Sequence, residues 1–294
     1  MNKKLKWSLV AGAVLIVIGV IGGKHKPDPS NVDSTTGGAP AGTSRGANPR
    51  PEINQLGLAF AQALLSDDIA DALNGGKSNI GLPSLGIDYS VSSLQLAREY
   101  SDNEVAADAK YKRKLLLISG RIKSINKDFS DSAYLSLPGI DDFSQVQAHL
   151  DDEGATDAAS YKRNASVMLV CTGAGMIIQS PMLRDCTPAN RYAARIDKEW
   201  RKKLATWFAD GGKWPGDDKS GTALAAMYVA RTAMPDASAC DQNVGGAACR
   251  ADLQRAMKTG GPAMLAEYSR IRLWLDLPES LPLPGNASNK KSAG

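Results

Sequence analysis

Residues 115–124 open as an apolar run, Leu115-Leu116-Leu117-Ile118-Ser119-Gly120-Arg121-Ile122, and end in polar alternation. A run of this length predicts a long strand. Asn126, Lys127, Asp128 and the Ser130-Asp131 pair predict a turn. A short second strand follows over Ala133–Leu137, ended by Pro138-Gly139. Val146, Ala148 and Leu150 alternate with Gln147 and His149, which predicts a third. The Asp/Ala-rich stretch 151–159 fits a short helix, and residues 165–172 and 176–183 predict two further strands around Gly173 and Gly175. Upstream, residues 92–109 have helical spacing, with Leu96, Tyr100 and the Val105/Ala106 pair on one face.

The flanks read as helical. Ile53, Leu56, Phe60 and Leu64 fall at helical spacing within 51–74, and Gly75-Gly76 stops that helix before a loop at 81–86 containing Pro83. Tyr192, Ile196, Trp200, Leu204 and Trp207 make one stripe. The other face carries Arg191, Arg195, Lys198 and Lys202, which reads as a solvated face over a buried stripe. Trp200, Trp207 and Trp214 are expected in the core. Leu224, Met227 and Tyr228 mark a helix over 222–233, and Pro262 opens another ahead of Leu265, Tyr268, Ile271 and Leu275. Five strands with a helix between the third and fourth follow the order of an oligonucleotide/oligosaccharide-binding (OB) Greek-key barrel. The predicted class is α+β: a transmembrane helix, a flexible tether, and a five-stranded OB-like β-barrel flanked by helices. The expected units are 1–23 (cytoplasmic stub and anchor), 24–50 (disordered linker), 51–98 (helical extension), 99–188 (barrel), 189–278 (helical region) and 279–294 (disordered tail).

The segment from Glu99 to Cys186 resembles the tRNA_anti-like OB-fold family of bacterial proteins. The residues that carry the resemblance are Asn103-Glu104-Val105-Ala106-Ala107-Asp108, Tyr111, Lys114, Gly120 and Cys186. Where members often have Gly after the Tyr-Lys pair, this chain has Arg113. The resemblance implies a fold; it implies no activity.

The amino terminus changes the picture of where the protein works. Three lysines in residues 1–6 precede 17 uncharged residues, Trp7 to Gly23, and Lys24, His25 and Lys26 follow. As a helix that run spans roughly 26 Å, near the short end for a bilayer core of about 30 Å. It predicts an uncleaved anchor in a bacterial inner membrane, with the bulk of the chain in the periplasm. Residues 24–50, rich in Pro, Gly, Ser and Thr, predict a tether reaching some tens of ångströms. The four cysteines lie beyond it. Four cysteines allow three pairings. The sequence-neighbour pairing, Cys171 with Cys186 and Cys240 with Cys249, is the simplest, and an oxidising compartment favours disulfides.

Searching for chemistry returns little. Residues 99–185 hold ten basic and thirteen acidic side chains, a net of −3. Phosphate neutralisation dominates nucleic-acid binding, so that partner is disfavoured. The candidate barrel face is Arg121, Lys123, Lys127, Phe129 and Tyr134. Gly76-Lys77-Ser78 imitates a phosphate loop but has Asp71 where the first glycine belongs. With no Cys-x-x-Cys and two histidines, His25 and His149, no metal site is expected. No cofactor and no catalytic residue is assigned. The expected role is a non-catalytic module engaging a protein or envelope component. The alternatives are an inhibitor or immunity protein against an envelope-acting toxin, and a hydrolase using carboxylates such as Asp141, Asp142, Asp151, Asp152 or Glu153. Oligomeric state is not legible.

Overall fold

The computed structural model describes residues 50–279 except 79, 142, 217 and 245. The expected anchor, nearly all of the expected tether and all but the first residue of the expected tail lie outside the described residues. Among the described residues no helix is long and apolar enough to cross a membrane.

The chain forms a mixed α+β structure. Helix α1 (Gln55–Leu73) leads through a 3-10 turn (Pro83–Leu85) to β1 (Tyr89–Ser92), α2 (Ser93–Asp102) and α3 (Glu104–Tyr111). Strands β2 (Leu115–Arg121), β3 (Ser124–Lys127), β4 (Ala133–Leu137) and β5 (Val146–Leu150) follow, then α4 (Asp152–Ala158), β6 (Ser166–Ile177) and β7 (Ser180–Pro188). The carboxy-terminal helices are α5 (Ala189–Asp210), α6 (Asp218–Thr232), α7 (Ala247–Thr259) and α8 (Gly261–Ile271). The sheet order is β1-β2-β6-β7-β5-β4-β3. The pairs β1/β2 and β5/β7 are parallel, the rest antiparallel.

The expectation of five strands in a closed barrel is therefore corrected to seven strands in a sheet that no ladder closes. Two strands were unforeseen. β1 is four residues long and pairs in parallel, so no local alternation announces it. The strand expected over 115–124 splits at Ile122–Lys123, because successive amides find different partners. Ile122 N–H donates to the Ala165 carbonyl at 2.9 Å and Lys123 N–H to that of Ser136 at 2.8 Å. The chain thus leaves β6 and joins β4 at the far edge of the sheet. Two residues span only about 7 Å, so the sheet curls strongly to let this happen.

The turn between the last strands also moves. β6 runs through both glycines to Ile177, and the reversal falls on Ile178 and Gln179, both left-handed (φ 45° and 62°). Gly173 serves a close approach instead: any Cβ there would overlap the Tyr111 carbonyl oxygen. Its own backbone exchanges hydrogen bonds with Arg113 N–H (2.8 Å) and the Lys114 carbonyl (3.0 Å).

The unbroken apolar run in β2 has a packing cause. Leu116 and Ile118 enter a core between the curled sheet and α2–α3, with Leu135, Ala148 and Leu169. Leu117 and Val170, on the other face, join a second core with α1 and α5–α8. Strands buried on both faces lose alternation. In the second core Tyr192, Trp200, Leu204 and Trp207 of the expected stripe are buried and Ile196 is partly so; Trp214, Phe208 and Tyr228 are buried with them, whereas Leu265 is half exposed. Burial pushes the Tyr228 phenol up to about 12, and its hydroxyl donates to Glu267 at 2.9 Å.

The helix expected over 92–109 is two helices. Asn103 ends α2 and caps α3, accepting from Ala106 N–H at 3.0 Å, with Glu104 in the first turn. The residues carrying the family resemblance then knit the pair together. The Glu99 carboxylate accepts from Lys110 Nζ (2.7 Å), Tyr111 OH (2.8 Å) and Gln95 (2.9 Å). Asp108 accepts from Lys112 Nζ (2.7 Å) and Tyr100 OH (3.1 Å). Burial works against ionising Glu99, but these donors outweigh it and hold the carboxyl below its usual range. The Lys112 hydrogen bond does the same for Asp108. Both groups stabilise the fold above the unfolded carboxyl pKa of about 4, and that contribution is lost as pH falls through the lower folded values. We expect Glu99→Gln with Asp108→Asn to flatten the loss of stability below about pH 4. Unfolding free energies from denaturant titration of the two chains should differ by about 1 kcal/mol near neutrality and converge in acid.

Cys171–Cys186 joins β6 to β7 (Cα–Cα 4.1 Å) and Cys240–Cys249 ties a 3-10 turn (Ala239–Asp241) to α7 (4.3 Å). Beside the second bridge, Arg231 is 2% exposed. Its guanidinium donates to both Asp241 carboxylate oxygens (3.1 and 2.9 Å) and to the carbonyls of Pro235 (3.2 Å) and Asp236 (3.1 Å).

Candidate binding face

Strand alternation decides which side chains leave the core. Along β3, β4 and β5, Ile125, Leu135, Leu137, Val146, Ala148 and Leu150 point inward. Their neighbours point outward. The register sets Ser124 beside Ser136 beside Gln147, and Asn126 beside Tyr134 beside His149. The result is a two-by-three grid of polar and aromatic groups on rigid strands.

The Tyr134 and His149 rings stack with centroids 5.1 Å apart and planes at 19°. Asn126 Nδ2 donates to the Ser124 hydroxyl at 2.8 Å and lies 3.4 Å from that of Ser136. Asp128 shapes the adjoining turn: one carboxylate oxygen accepts from Ser130 N–H (2.8 Å) and Ser132 N–H (3.0 Å). Its other oxygen faces His149 Nδ1 at 3.5 Å. His149 Nε2 is shielded from solvent and makes no hydrogen bond among the described residues.

The five residues expected to form the face are only partly brought together. Tyr134 stands in the grid. Lys127 pairs with Ala133, on the opposite face from Tyr134, and bonds Asp131 at 2.8 Å within the turn. Phe129 is fully exposed at the tip of that turn. Arg121 ends β2 and donates to the Asn164 carbonyl at 3.2 Å. Lys123 sits at the strand break, and its carbonyl accepts from Arg163 Nε at 2.8 Å. Lys127 and Arg121 thus serve local structure around the grid. Sequence reading missed His149, Asn126, Ser124, Ser136 and Gln147. Alternation marks His149 and Gln147 as outward, but nothing local reveals that His149 meets Tyr134.

The arrangement can stack and exchange hydrogen bonds. Among the described residues no hydroxyl lies within hydrogen-bond distance of His149 Nε2. Two of the candidate acids are engaged in local structure. Asp141 caps its loop through Phe143 and Ser144 N–H, both 2.8 Å. Asp151 caps α4, accepting from Gly154 N–H at 2.7 Å, and accepts the Thr187 hydroxyl. Among the described residues no group of three or more His, Cys, Asp or Glu side chains is placed to hold a metal ion.

Residues 59–187 match the sequence model of the tRNA_anti-like family. No curated protein matches the chain. A solved structure from Klebsiella pneumoniae subsp. pneumoniae, of a lipoprotein to which nucleic-acid binding has been ascribed, is 14% identical. The match covers 34% of this chain and 91% of that one, with a TM-score of 0.29, too small a likeness to bear on function.

Proposed function

We propose that this chain, which carries a tRNA_anti-like domain over residues 59–187, is a membrane-anchored periplasmic binding module without catalytic chemistry. It engages a protein or another envelope component. The observation that carries the reading is the stacked Tyr134–His149 pair set in a three-strand grid of hydroxyls and amides. Rigid strands present it, which limits the entropy lost on binding. Aromatic groups supply large contact area, and the hydroxyls and amides fix orientation. The net charge of −3 over 99–185 favours a neutral or mixed-charge partner over a polyanion. The amino-terminal apolar run and the two cysteine pairs support the compartment.

Capture from solubilised bacterial envelope tests the reading. The full chain is expected to retain a specific partner, and Tyr134→Ala with His149→Ala to weaken retention about tenfold or more, the effect of losing a central aromatic contact. Recovery of nothing specific would overturn the proposal. So would tight, salt-sensitive capture of single-stranded nucleic acid that the same substitutions abolish.

A further inference from the structure

Helix α5 carries two different sets of cations. In its first half, Arg191 donates twice to Asp157 (2.8 and 3.1 Å) and Arg195 lies 4.0 Å from Glu153, so both are bound to α4. Towards its end, Lys202 and Lys203 make no ion pair within 4.0 Å among the described residues. Both line a groove of about 320 Å³ between the end of α5 and the following loop. Lys213 closes the far side, its ammonium 4.0 Å from Asp218, and Trp207 and Thr206 contribute the wall.

The groove is shaped by its turn. Gly211 takes a left-handed φ of 75° that ends α5 and sends the chain back past it. Trp207 Nε1 donates to the Gly212 carbonyl at 2.7 Å, which pins loop to helix. Lys203 lies 4.7 Å from the Trp200 ring centroid, so its ammonium is held in place before any ligand arrives. Three ammonium groups meet two carboxylates, Asp210 in the groove wall and Asp218 beside Lys213, leaving a local excess of one positive charge. Each ammonium acts as a point charge with several donors, and the Thr206 hydroxyl adds one more.

We propose that this groove binds a compact phosphate-bearing anion. A single phosphate or pyrophosphate group fits the volume, and the three ammoniums supply charged donors for its oxygens. The groove lies outside residues 59–187 and shares no residue with the Tyr134–His149 grid, so the two readings stand or fall separately.

Amine-acylation footprinting of the full chain, read by mass spectrometry, tests it. The chain is held in phosphatidylcholine bilayers and challenged either with inorganic pyrophosphate or by adding phosphatidylglycerol to the bilayer. Lys202, Lys203 and Lys213 are expected to be protected at least fivefold, with Lys258 on α7 unprotected as an internal control. Protection by pyrophosphate alone identifies a free phosphorylated compound, and protection by phosphatidylglycerol alone a lipid headgroup. Lys202→Gln with Lys203→Gln, both at exposed positions, should abolish protection of Lys213. No protection by either probe, or equal protection of Lys258, would overturn the proposal, as would protection of Lys213 that survives the double substitution. Tyr134→Ala should leave the footprint unchanged.

Discussion

Replacing Arg231 with methionine should destabilise the protein by about 3 kcal/mol. The guanidinium is buried and satisfies a carboxylate and two backbone carbonyls in the segment between α6 and α7. Methionine fills similar volume and offers no donor, so the Pro235 and Asp236 carbonyls and Asp241 lose their partner together. The low end of the range for a broken buried pair applies, because the Asp241 side chain is 35% exposed and recovers some hydration. Arg231→Lys should fall between, since one ammonium cannot reach both carbonyls and grip the carboxylate at two points. Urea denaturation of the three chains checks the order. Equal midpoints for wild type and methionine would refute the assignment of this cluster as a structural clasp.

Converting Cys171 and Cys186 together to alanine should remove about 3 kcal/mol, against about 2.5 kcal/mol for the Cys240/Cys249 pair. The spans closed are 15 and 9 residues. Loop closure alone separates the two only slightly. Both bridges are buried, Cys171 and Cys186 in the inner core and Cys240 and Cys249 in the helical core, so truncation opens space at either and the gap stays small. Thermal unfolding with and without reductant, run on each double variant, separates the contributions. If reduction shifts the midpoint of the C171A/C186A chain as much as that of wild type, the inner bridge contributes nothing.

How much of this was legible in the sequence depended on whether the signal was local. The bounds of β4 and β5 follow from alternation ended by Pro138 and begun at Val146, and the α5 stripe follows from 3.6-residue spacing. What was lost needed partners. The double burial of β2 hid the break at Ile122, because its apolar run gives no sign that two different strands would receive it. Helix α7 was obscured by the glycines before it and by a buried face of Cys249, Leu253 and Ala256, two of them small. The candidate grid is the extreme case. Each of its six residues alternates correctly along its own strand, but only a three-strand register turns them into one surface. The motif that announces the family proved uninformative about binding for a physical reason: Asn103, Asp108 and Tyr111 are spent on capping and clasping two helices.

The way β2 and β6 divide their side chains has a practical corollary for anyone trimming this protein. Leu117 and Val170 face away from the inner core and rest on α1 and the carboxy-terminal helices. A fragment cut at the borders of the family match, 59–187, would begin inside α1 and discard α5 to α8 altogether. Such a fragment would display to solvent the oily back of its own sheet, and it would self-associate before its ligand preference was ever measured.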